Sequence, residues 1–317
     1  MSLSARVASR NVAATTRGRK SPDQHFAMSD TFRTDATSVA VPRHVVNSVK
    51  RGRVVAHWLL RWLMAAADEQ GMARARAWVE SAERVVVLTG AGISTDSGIP
   101  DFRGPQGAWT KNPGAEAQST LQNYLADTTL RARVWQERLH SPVWTAEPNR
   151  GHFALVALER CGKLHTLITQ NIDGLHHLAG NSPDRIVEVH GTVRRVMCWG
   201  CGARSTMQSA LQRVRRGEAD PACTACGGIL KSDTISFGQM LVPETIERAM
   251  AAVDDAQVLL AVGSTLRVFP IAGAVPHARD VGARIVIVND QPTAVDDLAD
   301  AVIRTPIGTA LPAICGV

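Results

Sequence analysis

Five short apolar runs, each stopping at a glycine, amide, carboxylate or histidine, constrain this chain more than any other feature. They are Val85–Leu88 before Gly90-Ala91-Gly92, Leu164–Thr169 before Gln170-Asn171, Ile186–Val189 before His190, Val258–Val262 before Gly263-Ser264, and Arg284–Val288 before Asn289-Asp290. Runs this short and this rich in β-branched residues read as buried strands, and helical stretches separate them. Strands alternating with helices build a parallel sheet covered on both faces. Ligands in such a sheet sit beyond the carboxyl ends of the strands, where these polar groups fall. The expected fold class is α/β, a doubly wound, Rossmann-like parallel sheet whose crest is one continuous ligand site.

The first strand end carries the most detail. Gly90-Ala91-Gly92 permits a tight turn and close approach of a ligand to bare backbone, and a Gly-x-Gly leaving a parallel strand can set pyrophosphate against a helix N-terminus. Thr95 stands where the third glycine of Gly-x-Gly-x-x-Gly would be, so an ordinary dehydrogenase pattern is not met. Ser94, Ser97, Asp101 and Arg103 follow in a segment broken by Gly98 and Pro100, which reads as a polar ligand-binding loop. At the second strand end Gln170, Asn171 and Asp173 fall within four residues; they make either a plain Asx-turn and helix cap or a set of ligand groups. His190 can serve as a base near neutral pH, since an unperturbed imidazole titrates at about 6.5. These groups alone describe a dinucleotide held across the crest with a histidine beside it, and hydride transfer would be the default chemistry.

Between the third and fourth runs lie Cys198-x-x-Cys201 and Cys223-x-x-Cys226. Two such knuckles supply four thiolates to one tetrahedral zinc, a closed set with no open position for water, so the metal's role is structural. The pairing also argues for a reducing compartment and against a disulfide framework. Cytoplasm is the expected location.

The formal charge of +6 suggests nucleic acid until it is located. Residues 1–53 hold ten Lys or Arg against Asp23, Asp30 and Asp35, a balance of +7, so the remainder of the chain sums to −1. A near-neutral folded part argues against nucleic acid, and no apolar run reaches the roughly 18 residues of a membrane span. The segment 1–53 reads as a disordered basic tail; its Arg- and Ser-rich, acid-poor start is also the composition of a transit peptide, which would redirect the chain to the mitochondrial matrix. Residues 54–71 read as a loosely attached helix or linker, and 72–317 as the catalytic unit. Within that unit about 72–104, 151–191 and 233–317 belong to the sheet, 105–150 form a helical excursion, and 192–232 form the zinc module. Thr234–Gly238 reads as a further strand as the chain returns to the sheet, and Pro148-Asn149 as the start of a helix in which His152 packs.

The run Gly-Ala-Gly-x-Ser-x-x-Ser-Gly-Ile-Pro-Asp-Phe-Arg-Gly from Gly90 resembles, position for position, the signature of the sirtuins, NAD-dependent protein-lysine deacylases. Thr169-Gln-Asn-Ile-Asp-x-Leu-His176, His190-Gly191, Gly263-Ser264-Thr265-Leu266 and Val288-Asn289 are similar to later motifs in the family order, and the resemblance spans about 73–315. It implies NAD as co-substrate, one structural zinc, and acylated protein lysine as partner. His190, Asn171 and Asp173 would be catalytic. Gly90, Ala91, Gly92, Ile99, Asp101, Phe102, Arg103, Gln170, Gly263, Ser264, Asn289 and Asp290 would hold the dinucleotide. Phe237 and Gly238 would meet substrate. Products would be free lysine, nicotinamide and O-acyl-ADP-ribose; a mono-ADP-ribosyltransferase or a non-catalytic NAD-binding module would use the same site. Two departures bear on substrate: Ser236-Phe237-Gly238-Gln239 stands where many members have Phe-Phe-Gly-Glu, and Tyr124 with Asp127 cannot supply the Tyr-x-x-Arg that meets acidic acyl chains.

Overall fold

The computed structural model describes residues 66–101, 104, 107–111 and 120–317. The expectations for the tail 1–53, for 54–65, and for Phe102 and Arg103 lie outside the described residues.

The strands are β1 (Val85–Thr89), β2 (Leu164–Thr169), β3 (Ile186–Glu188), β4 (Gly191–Cys198), β5 (Arg204–Thr206), β6 (Leu230–Thr234), β7 (Val258–Val262), β8 (Arg284–Val288) and β9 (Ala301–Ile303). Six of them form one sheet in the order β3-β2-β1-β7-β8-β9, with every neighbouring pair parallel. The order turns at β1, where the chain leaves to one side for β2 and β3 and to the other for β7, β8 and β9. That reversal opens a crevice above β1, β2 and β7.

Alternation along each strand explains why helices cover both faces. Val85 and Val87 of β1, Leu260 of β7 and Val286 of β8 pack with Ala75, Val79, Leu155, Leu158 and Leu311 on one side. Val86, Leu88, Leu259, Ile285 and Ile287 pack with Ala249, Val253, Val275 and Ala278 on the other. Each valine, leucine and isoleucine among them contributes about 1.5–3 kcal/mol on burial and each alanine less, so the two layers hold the sheet at fixed register. The helices beneath the first layer are α1 (residues 66–81), α5 (Arg150–Arg160) and α10 (Ile307–Cys315); those of the second are α8 (Pro243–Asp254) and α9 (Ala274–Asp280).

The boundary expected between 71 and 72 falls inside α1, which runs unbroken. Asp68 accepts from the Arg304 N–H at 3.0 Å and from the Thr305 hydroxyl at 2.8 Å, and a side chain on Gly71 would meet Ile303. The first turns described are thus fastened to the end of β9.

The helical excursion holds α2 (Ala108–Lys111), α3 (Leu121–Ala126) and α4 (Thr128–Leu139). It does not stand apart from the zinc module. Trp135 is fully buried in one cluster with Val196, Cys198, Met207, Leu211 and Leu230, which belong to β4, β6 and α7 (Met207–Arg215). The small antiparallel sheet β5-β4-β6 closes this second core.

Thr234–Gly238 does not return to the main sheet as the sequence suggested. Thr234 ends β6 in the small sheet, the Ile235 N–H donates to the His190 carbonyl at 2.9 Å, and Phe237 makes an isolated bridge to Thr120. Gly238 has φ +76°, which ends any extended run. The β-branched residues that mimic a buried strand here serve as a connection between the two parts.

Candidate active site

The ends of β1, β2, β3, β7 and β8 lie along one edge of the parallel sheet, but the glycine loop works differently from a plain phosphate cradle. The Gly90 N–H donates to the Val262 carbonyl and the Gly92 N–H to the Gly263 carbonyl. A Cβ on Gly90 would lie 2.7 Å from the Gly263 oxygen, and one on Gly92 would lie 2.7 Å from its Cα. The glycines therefore let two strand ends close on each other, and these two N–H groups are spent within the protein. Ala91–Ser97 continues as a 3-10 helix ending at Gly98 with φ +81°. Ile99 and Asp101 follow, and Asp101 accepts from the Gly104 N–H at 3.0 Å.

The loop hydroxyls are also committed to the protein. Ser94, fully buried, donates to Asp173 Oδ2 at 2.8 Å and accepts from the Asn171 amide at 3.2 Å. The Ser97 hydroxyl accepts from Asn149 at 2.9 Å. Asp173 spends its other oxygen on the Leu175 N–H at 2.8 Å, capping the short helix α6 (Leu175–Ala179). Burial pushes the Asp173 carboxyl upward, and the Leu175 and Ser94 donors with the Arg194 charge counter that push. The Asx-cap and the site are one arrangement: Asp173 braces the loop, while Asn171 sits in the crevice with its amide also on the Gly90 carbonyl at 3.1 Å.

Gln170 reaches across β1, its amide 3.0 Å from Ser264 Oγ, and so spans the ends of β2 and β7. Asn289 is buried at the end of β8 and donates to the Gln291 carbonyl at 2.7 Å, while Asp290 is exposed and accepts from the Gln291 amide.

His190 follows β3 by two residues. Its Nδ1 lies 2.9 Å from the Gln170 carbonyl. A carbonyl only accepts, so Nδ1 carries the proton and Nε2 keeps the basic lone pair. Burial lowers the pKa of this ring below the usual value and the Gln170 contact partly offsets it, leaving a neutral base at pH 7. Gly191 has φ +71°, and a Cβ there would strike the Asp233 carbonyl at 2.1 Å. Only glycine lets β6 pass directly beside the histidine.

Arg194 escaped the sequence reading because no motif marks it. From β4 it donates to the Asp173 carbonyl at 2.9 Å and the Val143 carbonyl at 3.3 Å, with its guanidinium 5.4 Å from the Trp144 ring centroid. It joins the amide turn to the second core.

The four cysteine sulfurs lie within 4.8 Å of one another, with Cys198–Cys226 at 3.5 Å and Cys201–Cys223 at 3.8 Å. Tetrahedral zinc with Zn–S bonds of about 2.3 Å puts its sulfurs about 3.8 Å apart, so the donor set fits that ion. Gly228 packs against the sulfurs, where a Cβ would come within 3.0 Å of Cys198 Sγ.

The model of the Sir2 family matches residues 90–270. A Streptomyces coelicolor protein named NAD-dependent protein deacetylase 2 is 50% identical over 230 residues, 73% of this chain and 95% of that one. The chain belongs to the Sir2 family. A Bradyrhizobium diazoefficiens relative, NAD-dependent protein deacetylase 1, is 40% identical over 251 residues, 78% of this chain and 97% of its own length. Among solved Sir2 structures, one with a deacetylated p53 peptide and 3′-O-acetyl ADP ribose superposes with a TM-score of 0.71 at 29% identity, covering 77% of this chain and 97% of that one. A second, from work on the mechanism and regulation of Sir2 enzymes, gives 0.70 at 33% identity over 78% of this chain and 97% of that one. In this sirtuin the glycine loop, the four-cysteine cluster and the polar ends of β2, β3 and β7, with Gln170, Asn171, His190 and Ser264, fall within the matched residues 90–270.

Proposed function

We propose that this sirtuin removes acyl groups, acetyl foremost, from protein lysine with NAD as co-substrate, releasing nicotinamide and O-acyl-ADP-ribose. The observation that carries the reading is His190: a buried neutral imidazole, its Nδ1–H fixed on Gln170, on the same crest as the Asn171 amide. Bound NAD supplies a ribose carbon that the acyl oxygen can attack as nicotinamide departs. His190 Nε2 then takes the proton from a ribose hydroxyl, and neutrality at pH 7 suits it to that task. Asn171 orders the pocket on the nicotinamide side, held by Gly90 and Ser94; Asp173 keeps Ser94 in place. Gln170 lines the cofactor pocket, and Ser264, Asn289 and Asp290 hold the adenosine half. The four thiolates would hold zinc as a structural ion remote from the reacting bonds.

The substrate segment lies beside Phe237 and Gly238 in this reading. Exposed apolar side chains close in the chain suit such a segment: Phe237 is 39% and Met240 84% exposed. Tyr124 is buried and donates its hydroxyl to the Leu230 carbonyl at 2.8 Å, so it offers nothing to an acidic acyl chain. Succinyl-lysine should be a poor substrate. The test is incubation with NAD and acetylated peptides, following nicotinamide, free lysine and O-acyl-ADP-ribose. ADP-ribose attached to protein without deacylated peptide, or no nicotinamide at all, would refute deacylation. His190→Ala should cut turnover by roughly 10²–10⁴.

A further inference from the structure

Two buried imidazoles lie beneath the crest and have no part in the chemistry above. His152, in the first turn of α5, and His176, in α6, are 0% and 2% exposed, with ring centroids 4.9 Å apart and planes tilted by 54°. Each leaves one ring nitrogen without a hydrogen-bond partner among the described residues, Nε2 of His152 and Nδ1 of His176. Buried polar atoms are seldom left unpaired, because nothing replaces the water they lose.

The other two nitrogens fix the tautomers. Nδ1 of His152 faces the Asn149 N–H at 3.3 Å; a backbone N–H only donates, so the proton of the neutral ring sits on Nε2. Nε2 of His176 is 3.0 Å from Thr89 Oγ1, and the Thr89 hydroxyl donates to Thr169 Oγ1 at 2.8 Å. Nε2 of His176 is then a donor, and its Nδ1 holds a lone pair. The two unpaired atoms are a donor and an acceptor on adjacent rings. Running the hydroxyl chain the other way would set donor against donor.

We infer that His152 Nε2–H donates to His176 Nδ1, completing a buried relay from Asn149 through His152, His176, Thr89 and Thr169 that positions the backbone of Asn171. Ring torsions about the Cβ–Cγ bond are broad, so a modest rotation joins the two nitrogens. At one end the Asn149 amide holds the Ile93 carbonyl at 2.8 Å and the Ser97 hydroxyl at 2.9 Å. At the other, Thr169 Oγ1 accepts from the Asn171 N–H at 3.0 Å. The relay therefore fastens the glycine loop and the amide turn to one support. Burial keeps both rings neutral, as it requires, with His152 pushed down to about 4 and His176 well below its usual value. Both histidines are positioning residues; the assignment of consequence to Asn171 rests on the function proposed above.

Long-range proton–nitrogen spectra of protein carrying ¹⁵N-histidine at pH 7 read the tautomers without reference to turnover, so they fail or succeed separately from the deacylase reading. Both rings should be Nε2–H, with the His152 ring proton slow to exchange and His176 Nδ1 at a hydrogen-bonded frequency. An Nδ1–H tautomer or a charged form of either ring, or an unbonded His176 Nδ1, overturns the relay. A second measurement compares His176→Gln, which keeps an N–H near the place of Nε2, with His176→Met, which has similar bulk and no donor. The Met variant should lose on the order of 10²-fold in kcat/KM, mostly through KM for NAD, and the Gln variant should recover most of it. Equal losses in the two variants, or a Met variant with wild-type kcat/KM, overturn the positioning role.

Discussion

At the scale of single residues, the crest is defined by which polar atoms are already satisfied. Ser94, Ser97 and Asp173 look like ligand groups in the sequence, yet their hydroxyl and carboxylate oxygens are taken by Asp173, Asn149 and Leu175. Residue type and spacing locate a polar cluster; they do not say which members face inward, because that depends on partners up to 79 residues away. His190 is the opposite case, a lone imidazole whose role became legible only through its motif and whose geometry supplies the protonation state. Burial places its pKa below the usual 6.5, so the acid limb of kcat/KM should fall below that pH, with activity lost as pH drops through the lowered value. A limb centred above 6.5 would contradict the assignment. His152 carries a stability prediction of its own. Its folded pKa of about 4 lies below the unfolded value, so the unfolded chain takes up the proton first as pH falls. The stabilisation is complete above about 6.5 and drains away toward pH 4, amounting to about 3 kcal/mol. Urea midpoints at pH 7 and pH 4.5 should differ by less in His152→Asn, which keeps an acceptor for the Asn149 N–H and does not titrate.

Elements were legible where one force dominated. The spans of β2, β7 and β8 follow directly from apolar runs closed by polar residues, and α5 from the cap at Asn149, whose side chain accepts from the Gly151 N–H at 2.9 Å. β9 is only three residues long and carries no such signal; it exists because Val286 to Val288 offer it a parallel edge. Thr234–Gly238 misled because β-branched residues also suit a connection whose backbone groups pair with His190 and Thr120. The junction of β1 with β7 carries the sharpest test at this scale. Gly263 has φ +65°, and a Cβ there would lie 2.5 Å from the Ile93 nitrogen. Gly263→Ala should cost at least about 1–2 kcal/mol from the left-handed backbone alone, and the displaced glycine loop should weaken NAD binding. Calorimetry showing wild-type affinity would mean the loop tolerates the shift.

Across the whole molecule, two cores share the labour. The parallel sheet carries the crest, while Trp135, Val196, Cys198, Met207 and Leu230 unite the helical excursion with the cysteine cluster. Structural zinc contributes on the order of 10 kcal/mol in small modules, so a strong chelator, or Cys198→Ser, should loosen α4 and β4–β6 together while the main sheet stays folded. Limited proteolysis after chelation should cut within 121–144 and 191–234 first; cleavage confined to the cysteine knuckles would show that the shared core survives without metal. Arg194 extends the reach of that core, since it leaves β4 to hold the Asp173 carbonyl. An oxidant such as peroxide, by converting even one of these four thiolates, should therefore slacken the amide turn that Arg194 holds, so calorimetry on peroxide-treated protein should find weakened NAD binding although no group of the crest has been modified.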